Sequence, residues 1–187
     1  GARFNGSSSE ITVSSLASLT QVGISMWVNT PDVSAQAGLI ARYGTNREFA
    51  IYMYGGTLTA SIYYNGNNGN ATQVTASTYM SNNTWHHIAY TANGSTAPKL
   101  YIDGSEVGTP QYTDAARCAY YTSSEPLDIG HFAGVAAYNY EGLIDQVRIF
   151  NKAISAAVVS KLYGNGAGEI ACTYTSTTNN IALPITN

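Results

Sequence analysis

Eleven carboxylates, three histidines and two cysteines are the side chains of this 187-residue chain that could carry acid–base, nucleophilic or metal chemistry. Glycosidic cleavage needs two carboxyl groups across the scissile bond, ~5–5.5 Å apart when configuration is retained. Glu48, Glu106, Glu125 and Glu141 each stand isolated. Glu141 and Asp145 come closest, and their even spacing sets both on one face of a strand. A bulge or turn near Gly142 is expected to part them. His86 and His87 are neighbours on a predicted strand and so point to opposite faces. His87 is expected to pack beside Trp85 and His86 to share the other face with Ile88. Neither has a serine or cysteine evidently set up as a triad. His131 reads as a polar loop residue. Cys118 and Cys172 are either a disulfide or two buried thiols, which spacing alone does not decide, and they make no zinc pattern.

Sugar binding asks for other groups: flat aromatic faces for the C–H surface, and amides or aspartates for the hydroxyls. The chain is well supplied, with 15 tyrosines and two tryptophans. Outward positions of the predicted strands carry Trp27, Tyr52, Tyr54, Tyr101 and Arg148, with Asn29, Tyr63 and Gln146 beside them. Loops add Tyr64, Asn65, Asn67, Asn68, Tyr138, Asn139 and Tyr140. If those strands share one sheet, they make an aromatic–amide surface crossed by an arginine. Tyrosine and threonine are also ordinary strand formers on a solvated or subunit-buried face. Glycan contact and protein assembly therefore both stand as readings of the same residues.

Strands must position these groups. Ile24, Met26 and Val28 alternate with Ser25, Trp27 and Asn29; Phe49, Ile51 and Met53 alternate with Ala50, Tyr52 and Tyr54. Leu58, Ala60, Ile62 and Tyr64 alternate with Thr59, Ser61 and Tyr63. A period of two means one buried and one wet face, the habit of antiparallel sheets. Gly55-Gly56 and Asp103-Gly104 mark hairpin turns, Asn93-Gly94 another tight turn, and Asn65 to Asn70 an exposed loop. One helix is expected near the end: Ser155 as N-cap, Val158, Val159 and Leu162 on one face, Gly164 as the stop.

Charged residues make up only 10% of the chain and the net charge is −3. The eight basic residues are scattered, which argues against nucleic acid as a partner. No apolar run reaches the ~20 residues that span a bilayer. With no initiator Met and no signal sequence, the chain is expected to be processed from something longer. A neutral-polar, Tyr-rich, Gly-punctuated composition suits an extracellular, cell-surface or virion-surface protein.

Three ordered segments resemble a known family. Ala2-Arg3-Phe4-Asn5-Gly6 with Ser7 to Ile11 is similar to the opening of laminin G-like jelly rolls of the concanavalin A-like superfamily. Asn83 to Thr91 with Leu100-Tyr101-Ile102-Asp103-Gly104 resembles their paired "W-h-h-v-a" and "l-Y-v-D-G" strands, and Gly142 to Ser155 their closing signature. The resemblance implies an all-β, two-sheet antiparallel jelly-roll sandwich with one short C-terminal helix, over residues 1–166, and a tail or linker strand over 167–187. Members usually carry a further strand upstream of Phe4, so a strand supplied by the tail or by a neighbour is one expectation. The glycosidase motif E-x-D-x-x-E of this superfamily is absent. Of the pentraxin-type calcium loops, the first has Arg47 where an amide is expected, and Gly130 to Tyr140 holds no acid. Related glucanases hold one structural calcium ion, for which Asp145 is the natural match. These motifs speak for the fold and are nearly silent on ligand; the aromatic and amide residues above give the reading of a non-catalytic domain that binds a glycan or glycoprotein surface, or else a structural subunit, with hydrolase activity disfavoured.

Overall fold

The structure is a computed structural model describing residues 1–17, 19–65, 70–77, 80–132 and 138–164. Two antiparallel sheets pack face to face. The first contains β1 (Ala2–Asn5), β3 (Val22–Asn29), β8 (His86–Ala92), β9 (Lys99–Ile102), β10 (Ser105–Val107) and β13 (Glu141–Phe150). The second contains β2 (Ile11–Val13), β4 (Ala37–Arg42), β5 (Phe49–Tyr54), β6 (Thr57–Tyr63), β7 (Ala71–Ser77), β11 (Thr109–Pro110) and β12 (Leu127–Ile129). Strand orders are β1-β13-β3-β8-β9-β10 and β11-β7-β6-β5-β4-β12-β2. The helix α1 spans Ala156–Tyr163. The expected two-sheet sandwich with one short helix is what the chain forms.

Alternation chooses the core. Ile24, Met26 and Val28 meet Phe49, Ile51, Met53, Leu58 and Ile62 between the sheets, each at most 1% exposed. The Gly55-Gly56 turn joins β5 to β6 with both glycines at positive φ, 56° and 80°, a conformation that side chains resist. Asp103-Gly104 turns β9 into β10. Asp103 also accepts the His87 N–H through Oδ1 at 2.8 Å and meets His86 Nδ1 through Oδ2 at 2.7 Å. Because the Ser81 N–H donates to His86 Nε2 at 2.9 Å, the neutral ring carries its proton on Nδ1.

The helix has the expected caps: Ser155 accepts the Val158 N–H, and Gly164 closes it at φ 60° with its N–H on the Ser160 carbonyl. Val159 and Leu162 pack on Ala89, Tyr101 and Ile154, burial that contributes about 1.5–3 kcal/mol for each side chain. Val158, expected on that face, is 38% exposed; one residue is a 100° step, and the contact stripe runs through Val159 instead. As a result the outer face of the first sheet is covered along its central strands β3 and β8. β3 and β8 are buried along both faces, only Asn29 being half-buried.

A second difference concerns β13. The bulge expected near Gly142 lies instead between Asp145 and Arg148, with Gln146 at φ 49°. Gly142 pairs with Phe4 across to β1, at a positive φ of 134°. Glu141 and Asp145 therefore share one strand run, and their Cα atoms are about 13 Å apart at strand rise.

Candidate functional site

The outward positions of the second sheet carry an aromatic cluster. Tyr52 and Tyr54 project from β5 and Tyr63 from β6, and Tyr43 follows β4. Phe132 and Tyr138 lie over them. A Cβ on Gly38 would stand 2.7 Å from the Phe132 backbone nitrogen, and the Gly38 N–H donates to the Tyr138 carbonyl at 3.0 Å. Ring centroids of Tyr43 and Phe132 are 4.2 Å apart, and those of Tyr52 and Phe132 5.4 Å. Tyr138 lies nearly parallel to Tyr54, with 15° between planes and 6.4 Å between centroids. Tyr54 is the most open large apolar side chain described, at 50% exposure. Gln73 Nε2 donates to the Tyr52 hydroxyl at 3.2 Å. The Arg47 guanidinium sits 4.4 Å over the Tyr43 ring, a cation–π contact. Burial raises the pKa of Tyr43 and Tyr52, in Tyr43 against the opposing pull of Arg47. Both are neutral phenols at physiological pH.

The structure divides the single surface expected from sequence. Tyr52, Tyr54 and Tyr138 come together on the second sheet. Trp27, Tyr101 and Arg148 lie on the first sheet, at the opposite side of the sandwich. Strand parity was right for both sets, but β3 and β5 do not share a sheet. Tyr101 is 2% exposed beneath α1, and Trp27 is stacked under Tyr163 at 5.8 Å. Tyr140 is not a loop ligand but a core residue, fully buried, edge-on to Phe4, with its hydroxyl donating to the Leu143 carbonyl at 3.3 Å. Tyr64 is half-buried and tied to Asn70 through side chain and backbone. Asn65 is exposed and Asn139 half-buried, whereas Asn67 and Asn68 lie outside the described residues, as does Cys172. Tyr43 and Phe132 were missed. Tyr43 follows a short apolar strand without a clear period, and Phe132 is a lone aromatic in a loop.

The histidines also differ from expectation. Trp85 is exposed at 39%, and His87 packs against Trp27 and Tyr163. His87 has a serine partner after all: Ser25 Oγ lies 2.9 Å from its Nε2. Nδ1, where a triad has its carboxylate, has no hydrogen-bond partner, and both residues are fully buried. Burial holds the His87 pKa down to about 4, Asp103 pulling it up and Arg148 pushing it further down. The unfolded chain takes this proton near pH 6.5 and the fold only near 4. Stability from His87 is therefore fully present above pH 6.5 and lost as pH falls from 6.5 to 4, by about 3 kcal/mol. Urea unfolding of the parent and of His87→Gln at pH 7 and pH 4.5 checks this: the parent is expected to lose more stability than the variant. Equal losses would contradict it.

Asp145 accepts the Gln146 N–H through Oδ1 at 2.8 Å, and Oδ2 lies 3.4 Å from the Gly1 nitrogen. Calcium takes 6–8 oxygen ligands. Among the described residues no three His, Cys, Asp or Glu side chains are grouped to hold a metal ion. Asp145 is the carboxylate that a structural calcium ion of the glucanase kind would share with backbone carbonyls. His131 Nδ1 meets Glu10 Oε2 at 3.1 Å.

A jelly roll with an aromatic outer face is the architecture of lectin-like domains, and the sequence agrees. The profile of the concanavalin A-like lectin/glucanase superfamily matches residues 5–160, and the chain belongs to that family. No curated protein matches the sequence. Among solved structures it resembles the native heptameric SAP-like pentraxin from Limulus polyphemus, at TM-score 0.64 and 14% identity over 86% of this chain and 80% of that one. It also resembles the binding domain of Paraclostridial Mosquitocidal Protein 1, at TM-score 0.70 and 20% identity over 86% of this chain and 42% of that one. A third likeness is botulinum neurotoxin type C, whose cell entry depends on interaction with two ganglioside molecules, at TM-score 0.58 and 15% identity over 78% of this chain and 35% of that one. The chain spans less than half of each toxin chain, and at these identities the likeness is one of fold. Among the described residues no helix is long and apolar enough to cross a membrane.

Proposed function

We propose that this is a non-catalytic glycan-binding domain that holds carbohydrate of a glycan or glycoprotein surface against Tyr54 and Tyr138. The observation that carries the reading is the near-parallel Tyr54–Tyr138 pair, half open to solvent, beside the Gln73–Tyr52 hydrogen bond. Parallel rings offer a flat apolar face to sugar C–H groups, and an amide with a phenol serves the hydroxyls. The ganglioside dependence of the type C neurotoxin supports the same reading. The setting it implies is extracellular, at a cell or virion surface. The structural calcium expected at Asp145 has no part in it.

A glycan array followed by polysaccharide pull-down tests the proposal. Tyr54→Ala and Tyr138→Ala are each expected to weaken binding about tenfold. Tyr64→Ala, tied to Asn70 outside the cluster, should weaken it less. Absence of binding to any glycan would sink the idea.

One observation favours a second reading, a structural subunit. β1 is the end strand of the first sheet, and an open edge accepts another strand. A strictly monomeric protein by light scattering would count against it.

A further inference from the structure

The outer face of the first sheet holds polar atoms that the proposed glycan surface leaves unused. Trp27 Nε1, His87 Nδ1, Gln146 Oε1 and Arg148 Nη1 are all buried without a hydrogen-bond partner. Buried polar groups are paired in the great majority of cases, so several on one face ask for a cause. Register places three of them together, and Gln146 stands in the bulge beside Asp145. Trp27 faces Asp145 on one side and His87 on the other, and Arg148 faces Ser25, whose hydroxyl reaches His87.

The β13 bulge makes this grouping. Without it, strict alternation from the outward Asp145 would turn Arg148 into the core. With Gln146 in the left-handed region at φ 49°, Val147 and Ile149 pack on the core instead, and Arg148 falls on the outer face. Bulges commonly re-aim a side chain in this manner next to functional sites. A left-handed glutamine is itself a strained choice.

Charge indicates what the site takes. Arg148 makes no ion pair among the described residues; Asp145 is engaged by the Gln146 N–H and lies near the Gly1 nitrogen. A partly buried guanidinium calls for an anion. The indole N–H adds a second donor. His87 Nδ1 adds a third when the Ser25 hydroxyl donates to Nε2, as a neutral ring permits. Tyr163 roofs the group, 5.8 Å from Trp27 and 5.9 Å from His87, and excluding water strengthens such contacts. Gln146 and Arg148 are only half-buried, which leaves an opening along β13. We infer that Trp27, His87, Gln146 and Arg148 form a binding site for a carboxylate group, with Arg148 as its principal anchor and Gln146 Oε1 free to accept from a hydroxyl beside it.

Trp27 reports on its own site. The only other tryptophan is Trp85, so Trp85→Phe leaves a single indole to follow. Fluorescence of that variant is titrated with sodium acetate and with sodium glycolate, ionic strength being held with sodium chloride. A saturable change is expected with both, glycolate half-saturating at lower concentration because it brings a hydroxyl to Gln146. Arg148→Met should weaken it about tenfold or more. Arg148→Lys keeps the charge but loses the planar fork, and should weaken it less. The lysine variant keeps the test decisive if the methionine variant folds poorly. A linear, salt-like response to both anions overturns the inference, as does a saturable response that neither Arg148 variant alters.

Discussion

Arg42→Met is expected to lower folding stability by about 3–5 kcal/mol, read from urea unfolding at pH 7.5. Arg42 and Glu48 form a fully enclosed ion pair, 2.9 Å apart, with side chains 3% and 0% exposed. The guanidinium also donates to three carbonyls: Glu125 from Nε at 2.8 Å, Ala17 from Nη1 at 3.3 Å and Leu16 from Nη2 at 2.9 Å. Glu48 in turn accepts the Ser123 N–H at 2.9 Å. The pair thus ties the segment before β3 and the segment before β12 to the start of β5. Methionine fills similar space but strands a carboxylate and three carbonyl oxygens.

The loss should depend on pH with a definite sign. Burial already raises the Glu48 pKa above its ordinary value, against the downward pull of the Ser123 N–H and of Arg42. Removing Arg42 removes part of that pull, so the carboxyl rises further. A group whose folded pKa is raised supports the fold below its unfolded pKa and loses that support as pH rises through the folded value. The gap between parent and Arg42→Met should therefore be smaller at pH 5 than at pH 7.5. Adding Glu48→Leu to the variant should recover the carboxylate's share but not that of the three carbonyls, placing the double variant between the two. A gap that ignores pH would show that the stranded carboxylate is not the cause.

Local order was open to reading from sequence, and long-range order was not. Period-two alternation identified the core faces of β3, β5 and β6, and Gly55-Gly56, Asp103-Gly104, Ser155 and Gly164 marked turns and caps, because these signals act within a few residues. Which sheet a strand joins depends on partners far away in sequence. Trp27 and Tyr52 were both correctly read as facing away from the core, yet they face opposite sides of the sandwich. Coverage is equally non-local: Tyr163 and α1 hide Trp27 and Tyr101, and Phe132 and Tyr138 lie over the second sheet. The β13 bulge was misplaced because Gly142 carries the usual signature and Gln146 carries none. Gly142 has a different task, since a Cβ there would strike the Asn29 carbonyl. The Arg42–Glu48 pair leaves no trace in sequence, its two members looking like any surface charges.

Gly130→Ala links the fold to the candidate glycan surface. Gly130 follows β12 at φ 78°, and a Cβ there would run into the Phe4 ring. Its N–H donates to the Leu39 carbonyl and its own carbonyl accepts from Tyr140, both at 2.9 Å. The residue is thus held two positions before Phe132 and tied to the backbone two positions after Tyr138. Left-handed strain and overpacking against Phe4 together are expected to cost about 2–5 kcal/mol. Gly55→Ala separates the two contributions, because Gly55 has φ 56° but nothing within 4 Å of the added carbon. It should cost only the conformational share, about 1–2 kcal/mol, and leave Tyr138 in place. If Phe4 must shift, the strain passes along Gly130 toward Phe132 and, through Tyr140, toward Tyr138. Gly130→Ala should then weaken glycan binding even at temperatures where the sandwich stays folded, while Gly55→Ala should not. Equal destabilisation by the two variants would mean that Phe4 yields freely, and the coupling between core and aromatic face would have to be given up.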